Sequence, residues 1–134
     1  MNIGNASRES GVSAKMIRYY EQIGLLTPAK RSDAGYRLYS PDEIHALRFI
    51  RQARRLGFPV DDIRKLLALW QDGSRASAEV KSIAIDHVAE LDERIAELTN
   101  IRNTLADLAA HCNGDERPEC PILALLADVT GDPE

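Results

Sequence analysis

Apolar residues recur along most of this chain at intervals of three and four, the period of helices that lay one face on a core. The segment from Ile3 to Glu9 suits a short helix, and Ser10-Gly11-Val12 reads as a turn. Ser13 is a good N-cap, because its side-chain oxygen accepts a backbone N–H of the turn that follows. A second helix is predicted through Lys15, Met16, Ile17, Arg18, Tyr19, Tyr20 and Glu21, closed by Gly24. Two short helices joined by a tight glycine turn make a helix-turn-helix. The stretch Pro28 to Tyr39 changes character. Ser32-Asp33-Ala34-Gly35 signals a turn, while Tyr36 and Leu38 favour strand, so a small two-stranded wing with basic arms is predicted. Ser40-Pro41-Asp42-Glu43 then opens a helix over 41–56, and Gly57-Phe58-Pro59 stops it. A further helix over 60–70 carries Ile63, Leu66, Leu67 and Trp70 at helical spacing.

The longest periodic stretch runs from about Ser77 to His111. Val88, Leu91, Ile95, Leu98 and Leu105 alternate by fours and threes as a heptad seam, with Arg102 as its one imperfect position. At 1.5 Å per residue such a helix is about 50 Å long, more than a domain this small can cover. A second copy of the chain is the simplest source of a covering helix, so a homodimer is expected. A polar loop follows, bracketed by Cys112 and Cys120, and Ile122 to Leu126 forms a short apolar turn. The expected organisation is therefore mainly α: a winged helix-turn-helix domain over 1–70, a dimerisation helix over 76–111, and a loop with a short helix over 112–134.

Charge sharpens this division. Residues 1–59 hold ten Lys/Arg against five Asp/Glu, whereas residues 60–134 hold seven against sixteen. The net charge of −4 conceals a basic half suited to nucleic acid and an acidic half with another task. No run of 18 apolar residues predicts a membrane span, and the opening residues lack the apolar segment of a secretory signal, so the expected location is the cytoplasm. No Ser/His/Asp spacing, Gly-rich phosphate loop or HExxH motif suggests catalysis, and the three histidines are scattered.

The second helix of a helix-turn-helix normally presents its early residues to base edges in the major groove, which here means Lys15, Arg18 and Tyr19. Arg18 is the best base reader, since a guanidinium bonds guanine through two parallel hydrogen bonds. Arg31, Tyr36 and Arg37 on the wing suit phosphates, which position a protein without specifying sequence. Arg51, Arg54 and Arg55 recur near one face of the third helix and suit the same role. Cys112 and Cys120 are the only cysteines, with seven residues between them. In a cytosolic chain such a pair reads as metal ligands, as a redox couple, or as buried residues. Thiolates prefer soft ions, and two of them suit a two-coordinate site of the kind Cu(I), Ag(I) and Au(I) accept, whereas zinc normally takes four ligands.

Three strings carry a family resemblance: Ser13 to Leu26 with its IRYYE-x-x-GLL core, the Gly35-Tyr36-Arg37 wing, and Arg51-Gln52-Ala53-Arg54-Arg55-Leu56-Gly57-Phe58. Together they resemble the MerR family of winged helix-turn-helix regulators, over essentially the whole chain. The resemblance implies a homodimer joined through antiparallel long helices in a coiled coil and bound to near-palindromic promoter DNA. It also implies activation through DNA: the inducer-bound form bends and undertwists an overlong promoter spacer so that RNA polymerase engages both elements. The loop HCNGDERPECPI resembles the copper-sensing branch, of CueR/HmrR type, in which two loop cysteines hold one monovalent ion. Divalent-metal sensors of the family carry a further cysteine near the start of the dimerisation helix, where this chain has Ser77. The implied function is activation of copper efflux and detoxification genes on binding Cu(I), with Ag(I) and Au(I) as further ligands. A thiol–disulfide switch, or a divalent-metal response, is the alternative.

Overall fold

The computed structural model describes residues 1–74, 77–112, 114 and 120–128. In chain order the elements are α1 (Ile3–Ser10), α2 (Ala14–Gln22), β1 (Lys30–Arg31), β2 (Arg37–Leu38), α3 (Pro41–Arg55), α4 (Val60–Gln71), α5 (Ser77–His111) and α6 (Pro121–Leu126). They fall into two compact units, Met1–Ile85 and a second that begins at Asp86.

The first unit is built around α3. Helix α1 packs on α2 and α3, and α3 packs on α4. Ile17, Leu47, Ile50 and Ile63 are the largest fully buried side chains, one from α2, two from α3 and one from α4. Burying each contributes on the order of 1.5–3 kcal/mol, so these few aliphatics hold the three helices together. Tyr20 and Tyr39 also join this core, which the aliphatic composition does not foretell. Helix starts follow the polar caps. Ser13 Oγ accepts the Met16 N–H at 3.2 Å, and Ser40 Oγ accepts the Glu43 N–H at 3.3 Å. Asp42 and Glu43 lie in the first turn of α3 and Arg54 and Arg55 in its last, which suits the helix dipole. Gly11 takes φ +77° to end α1, which strains any larger residue, and the Arg51 side chain, 3.0 Å from where a Cβ would stand, would have to give way. Helix α2 ends one residue earlier than Gly24 suggests, with Ile23 as its C-cap.

The wing is a two-residue antiparallel pair, with Lys30 opposite Leu38 and Arg31 opposite Arg37. Tyr36 falls outside the strand. Its N–H is drawn into the turn by Ser32 Oγ at 3.1 Å, and its ring is 71% exposed. Two arginines tie the helices through backbone. Arg48 of α3 donates to the Glu9 carbonyl at 2.9 and 3.0 Å, and Arg64 of α4 donates to the Ile23 carbonyl at 3.1 Å. Phe49 and Trp70 stack at 4.8 Å between centroids, which holds α3 and α4 together at their outer edge.

The second unit has a different surface. Along α5, Val88, Ile95, Leu98, Ile101 and Leu105 are each about half exposed (48–59%), and Leu91 is partly buried. Ile101 is an apolar position outside the heptad seam, beside Arg102. Helix α6 exposes Leu123, Leu125 and Leu126. No helix among the described residues is long and apolar enough to cross a membrane.

Candidate functional site

Two sites emerge, one in each unit. In the first, α2 and the wing share a face. Arg18, Arg31, Gly35, Tyr36 and Arg37 line one shallow hollow together with Asn2 and Ile3. The candidate base reader and all three candidate wing residues therefore meet in one place, as a continuous contact with a duplex requires. A second hollow joins Ser13 and Met16 at the start of α2 to Arg51, Arg54 and Arg55 of α3. Arg54 thus lies beside the helix-turn-helix turn, with three guanidiniums near the positive end of α2. Lys15 and Tyr19 line neither hollow. Both are exposed on α2, with Tyr19 against Tyr20 at 5.9 Å.

The wing cations are not equally free. Arg31 Nη1 donates to the Gly35 carbonyl at 3.0 Å, which braces the turn from inside. Arg37 Nε pairs with Glu21 Oε2 at 3.3 Å, and the Glu21 side chain is 9% exposed. The other Glu21 oxygen accepts the Tyr39 hydroxyl at 2.5 Å. Burial, and then the Glu21 carboxylate, push the Tyr39 hydroxyl well above its ordinary range, so it remains a donor. Reading Arg37 from sequence as a simple phosphate cation missed this partnership. The only signal was Glu21 itself, an acid in the last turn of a helix, where the dipole disfavours it.

The second site is at the far end of α5. Cys112 follows the last residue of α5, and Cys120 is the N-cap of α6. Both are free thiols, partly buried, with their sulfurs 3.9 Å apart. A disulfide needs about 2.05 Å. With metal–sulfur bonds of about 2.3 Å, two sulfurs in line stand about 4.6 Å apart and at a tetrahedral angle about 3.8 Å. The spacing therefore admits one bridging ion, and donor number decides the geometry. Cys120 is shifted toward the thiolate, first by the Leu123 backbone N–H and then by that of Ile122 and by Cys112, against desolvation. That is the ionisation a soft cation needs. His111, next to Cys112, is turned back on its own helix, with Nδ1 2.8 Å from the Asp107 carbonyl oxygen. Among the described residues no group of three or more His, Cys, Asp or Glu gathers as a metal cluster. Asp115, Glu116 and Glu119 of the loop lie outside the described residues. Ser77 is the first residue of α5 and is exposed. His45 is exposed, whereas His87 is buried, with Nδ1 3.8 Å from Glu90.

Comparison with known proteins bears on the family of the chain. Residues 1–70 match the pattern described as MerR HTH family regulatory protein, and residues 44–108 match the one described as MerR, DNA binding. The chain is 56% identical over 128 residues to heavy metal-dependent transcription regulator 2 of Rhizobium meliloti, covering 96% of this chain and 87% of the relative. It is 43% identical to the transcriptional regulator CueR of Yersinia pestis, covering 95% and 91%. Among solved structures, the regulator PbrR691 of Ralstonia metallidurans in complex with lead(II) superposes with a TM-score of 0.80 at 32% identity, covering 95% of this chain and 99% of that one. The winged helix-turn-helix, the long helix after it and these matches have one reading: the chain belongs to the MerR family of helix-turn-helix transcription regulators, which are DNA-binding proteins and not enzymes.

Proposed function

We propose that this chain is a homodimeric, metal-responsive transcription regulator of the cytoplasm that binds promoter DNA and activates copper efflux or detoxification genes when Cu(I) joins Cys112 to Cys120. The observation that carries the reading is the pair of free sulfurs 3.9 Å apart between the end of α5 and the start of α6. Heavy-metal dependence in the name of a 56%-identical relative supports the metal response. The choice of a monovalent ion rests on donor number. Two thiolates are too few for zinc, and Ser77 offers a hydroxyl where divalent sensors of the family place a thiolate. Ag(I) and Au(I) fit the same donor pair.

Lys15, Arg18 and Tyr19 face the major groove in this reading, and Arg31, Tyr36, Arg37 and Arg54 hold phosphates. Val88, Leu91, Ile95, Leu98 and Leu105 of α5 form the antiparallel seam of the dimer. Cys112 and Cys120 would hold the ion through their sulfurs, and its positive charge would offset part of theirs. The two sulfur donors come from either end of the same passage, Cys112 after α5 and Cys120 as the N-cap of α6, so holding one ion would tie the end of one helix to the start of the other. The distorted promoter spacer, not a contact with the enzyme, recruits RNA polymerase.

The lead(II) complex of PbrR691 favours a second reading, a divalent response. In vitro transcription from the cognate promoter separates them. Cu(I) and Ag(I) are expected to induce, while Zn(II) and Pb(II) do not. Cys112→Ser and Cys120→Ser are each expected to abolish induction while operator affinity stays within about twofold. Full copper induction in either variant refutes the site, induction by Pb(II) supports the divalent reading, and induction by peroxide with loss of both free thiols supports a redox switch.

A further inference from the structure

Glu21 is in a place that helix physics disfavours. It lies in the last turn of α2, which carries no basic residue, so its charge opposes the negative end of the helix dipole. It is also nearly buried, at 9% side-chain exposure, on the basic face that lines up Arg18, Arg31 and Arg37. Both its oxygens are used. Oε2 takes Arg37 Nε, and Oε1 takes the Tyr39 hydroxyl. Tyr39 is in turn fixed by its backbone, whose N–H donates to the Met1 carbonyl at 2.7 Å. The helix that reads bases and the wing that holds phosphates are thus joined through one carboxylate.

We infer that Glu21 is a specificity-determining positioning residue, which holds the Arg37 guanidinium in one orientation and so limits its attraction to phosphates on DNA of any sequence. This rests on the reading of Arg37 as a DNA contact. The physical argument concerns what binding gains from a cation. A free arginine on the wing follows any phosphate and strengthens non-specific association, with a full share of counterion release. An arginine tethered through Nε presents its terminal nitrogens in one direction and suits only a duplex whose backbone passes there. The adjacent negative charge also subtracts from the local field. Glu21 therefore lowers binding to random DNA more than binding to the operator.

The test uses the full-length protein, the operator it selects from random duplexes, and a scrambled duplex of equal length. Glu21→Gln keeps the shape and an oxygen for Tyr39 but removes the charge. It is expected to tighten scrambled-duplex binding, steepen the salt dependence of log K by about 0.9, and reduce the operator-to-scrambled ratio about two- to fivefold. These changes are expected to vanish when Arg37→Gln is also present. A merely structural Glu21 gives weaker binding to both duplexes, no steeper salt slope and a lower melting temperature, and that result overturns the inference. An undiminished effect in the Arg37→Gln background overturns it too. If Arg37→Gln alone alters neither slope nor ratio, Arg37 does not touch DNA and the interface reading fails with it; if Arg37→Gln acts and Glu21→Gln does not, only the inference fails. Should Glu21→Gln not fold, nitrogen relaxation of Arg37 Nε in the native protein decides: a rigid, slowly exchanging Nε–H is expected, and a freely rotating one refutes the tether.

Discussion

The two units of this protein use similar proportions of apolar sequence to opposite ends. In Met1–Ile85, Ile17, Leu47, Ile50 and Ile63 are fully buried within the same unit. From Asp86 onward, Val88, Ile95, Leu98 and Leu105 recur as regularly, yet each is about half exposed. One periodic signal thus supports two different inferences. Where several helices follow one another through short turns, it marks a core. Where a single helix of 35 residues carries it and leaves those side chains half exposed, it suits a surface that packs on a partner helix. The lesson bears on the proposed function, because a dimeric regulator on a two-fold operator would have to fold each reading head by itself and depend on a second copy for its geometry.

The contrast breaks most severely at its apolar positions. Leu47→Ala is expected to cost about 2–5 kcal/mol in thermal or denaturant unfolding, by an amount independent of protein concentration. Ile95→Asp is expected to leave the first unit folded but to shift sedimentation toward monomer, with a loss that dilution deepens. An Ile95→Asp protein that sediments as the native form does would remove the seam from the account. Arg18→Ala is expected to weaken operator binding by about 1–3 kcal/mol while scrambled DNA is bound nearly as before. An equal loss on both duplexes would move Arg18 from base reading to phosphate. The smallest effect is one of selectivity: Ser77→Cys is expected to add a Zn(II) or Pb(II) response, read by in vitro transcription, while the Cu(I) response persists.

The contrast also explains what was legible in sequence. Ser13 and Ser40 announced their helices because an N-cap is a local contract between one side chain and a backbone N–H three residues on. The extent of α5, from Ser77 to His111, followed from unbroken periodicity between two loops. The cysteine pair stood out because nothing else in the chain shares its chemistry. Partnerships between distant residues were not legible. That Arg37 is held by Glu21, that Arg48 binds the Glu9 carbonyl, and that Phe49 stacks on Trp70 depend on how turns place helices, and no spacing encodes it. Tyr36 misled for a similar reason. Its β-forming ring suggested strand, but Ser32 Oγ takes its N–H into the turn. At the candidate metal site, sequence supplied the two thiols but not their meeting, which needs α5 to end at His111 and α6 to begin at Pro121.

The central claim is that two thiolates alone hold one monovalent ion. X-ray absorption on the reduced, full-length protein with one equivalent of Cu(I) per protomer tests it most directly. The account predicts a shell of two sulfurs in a linear arrangement, lost in Cys112→Ser. A shell of three or more ligands, or one that includes oxygen or nitrogen, would contradict it.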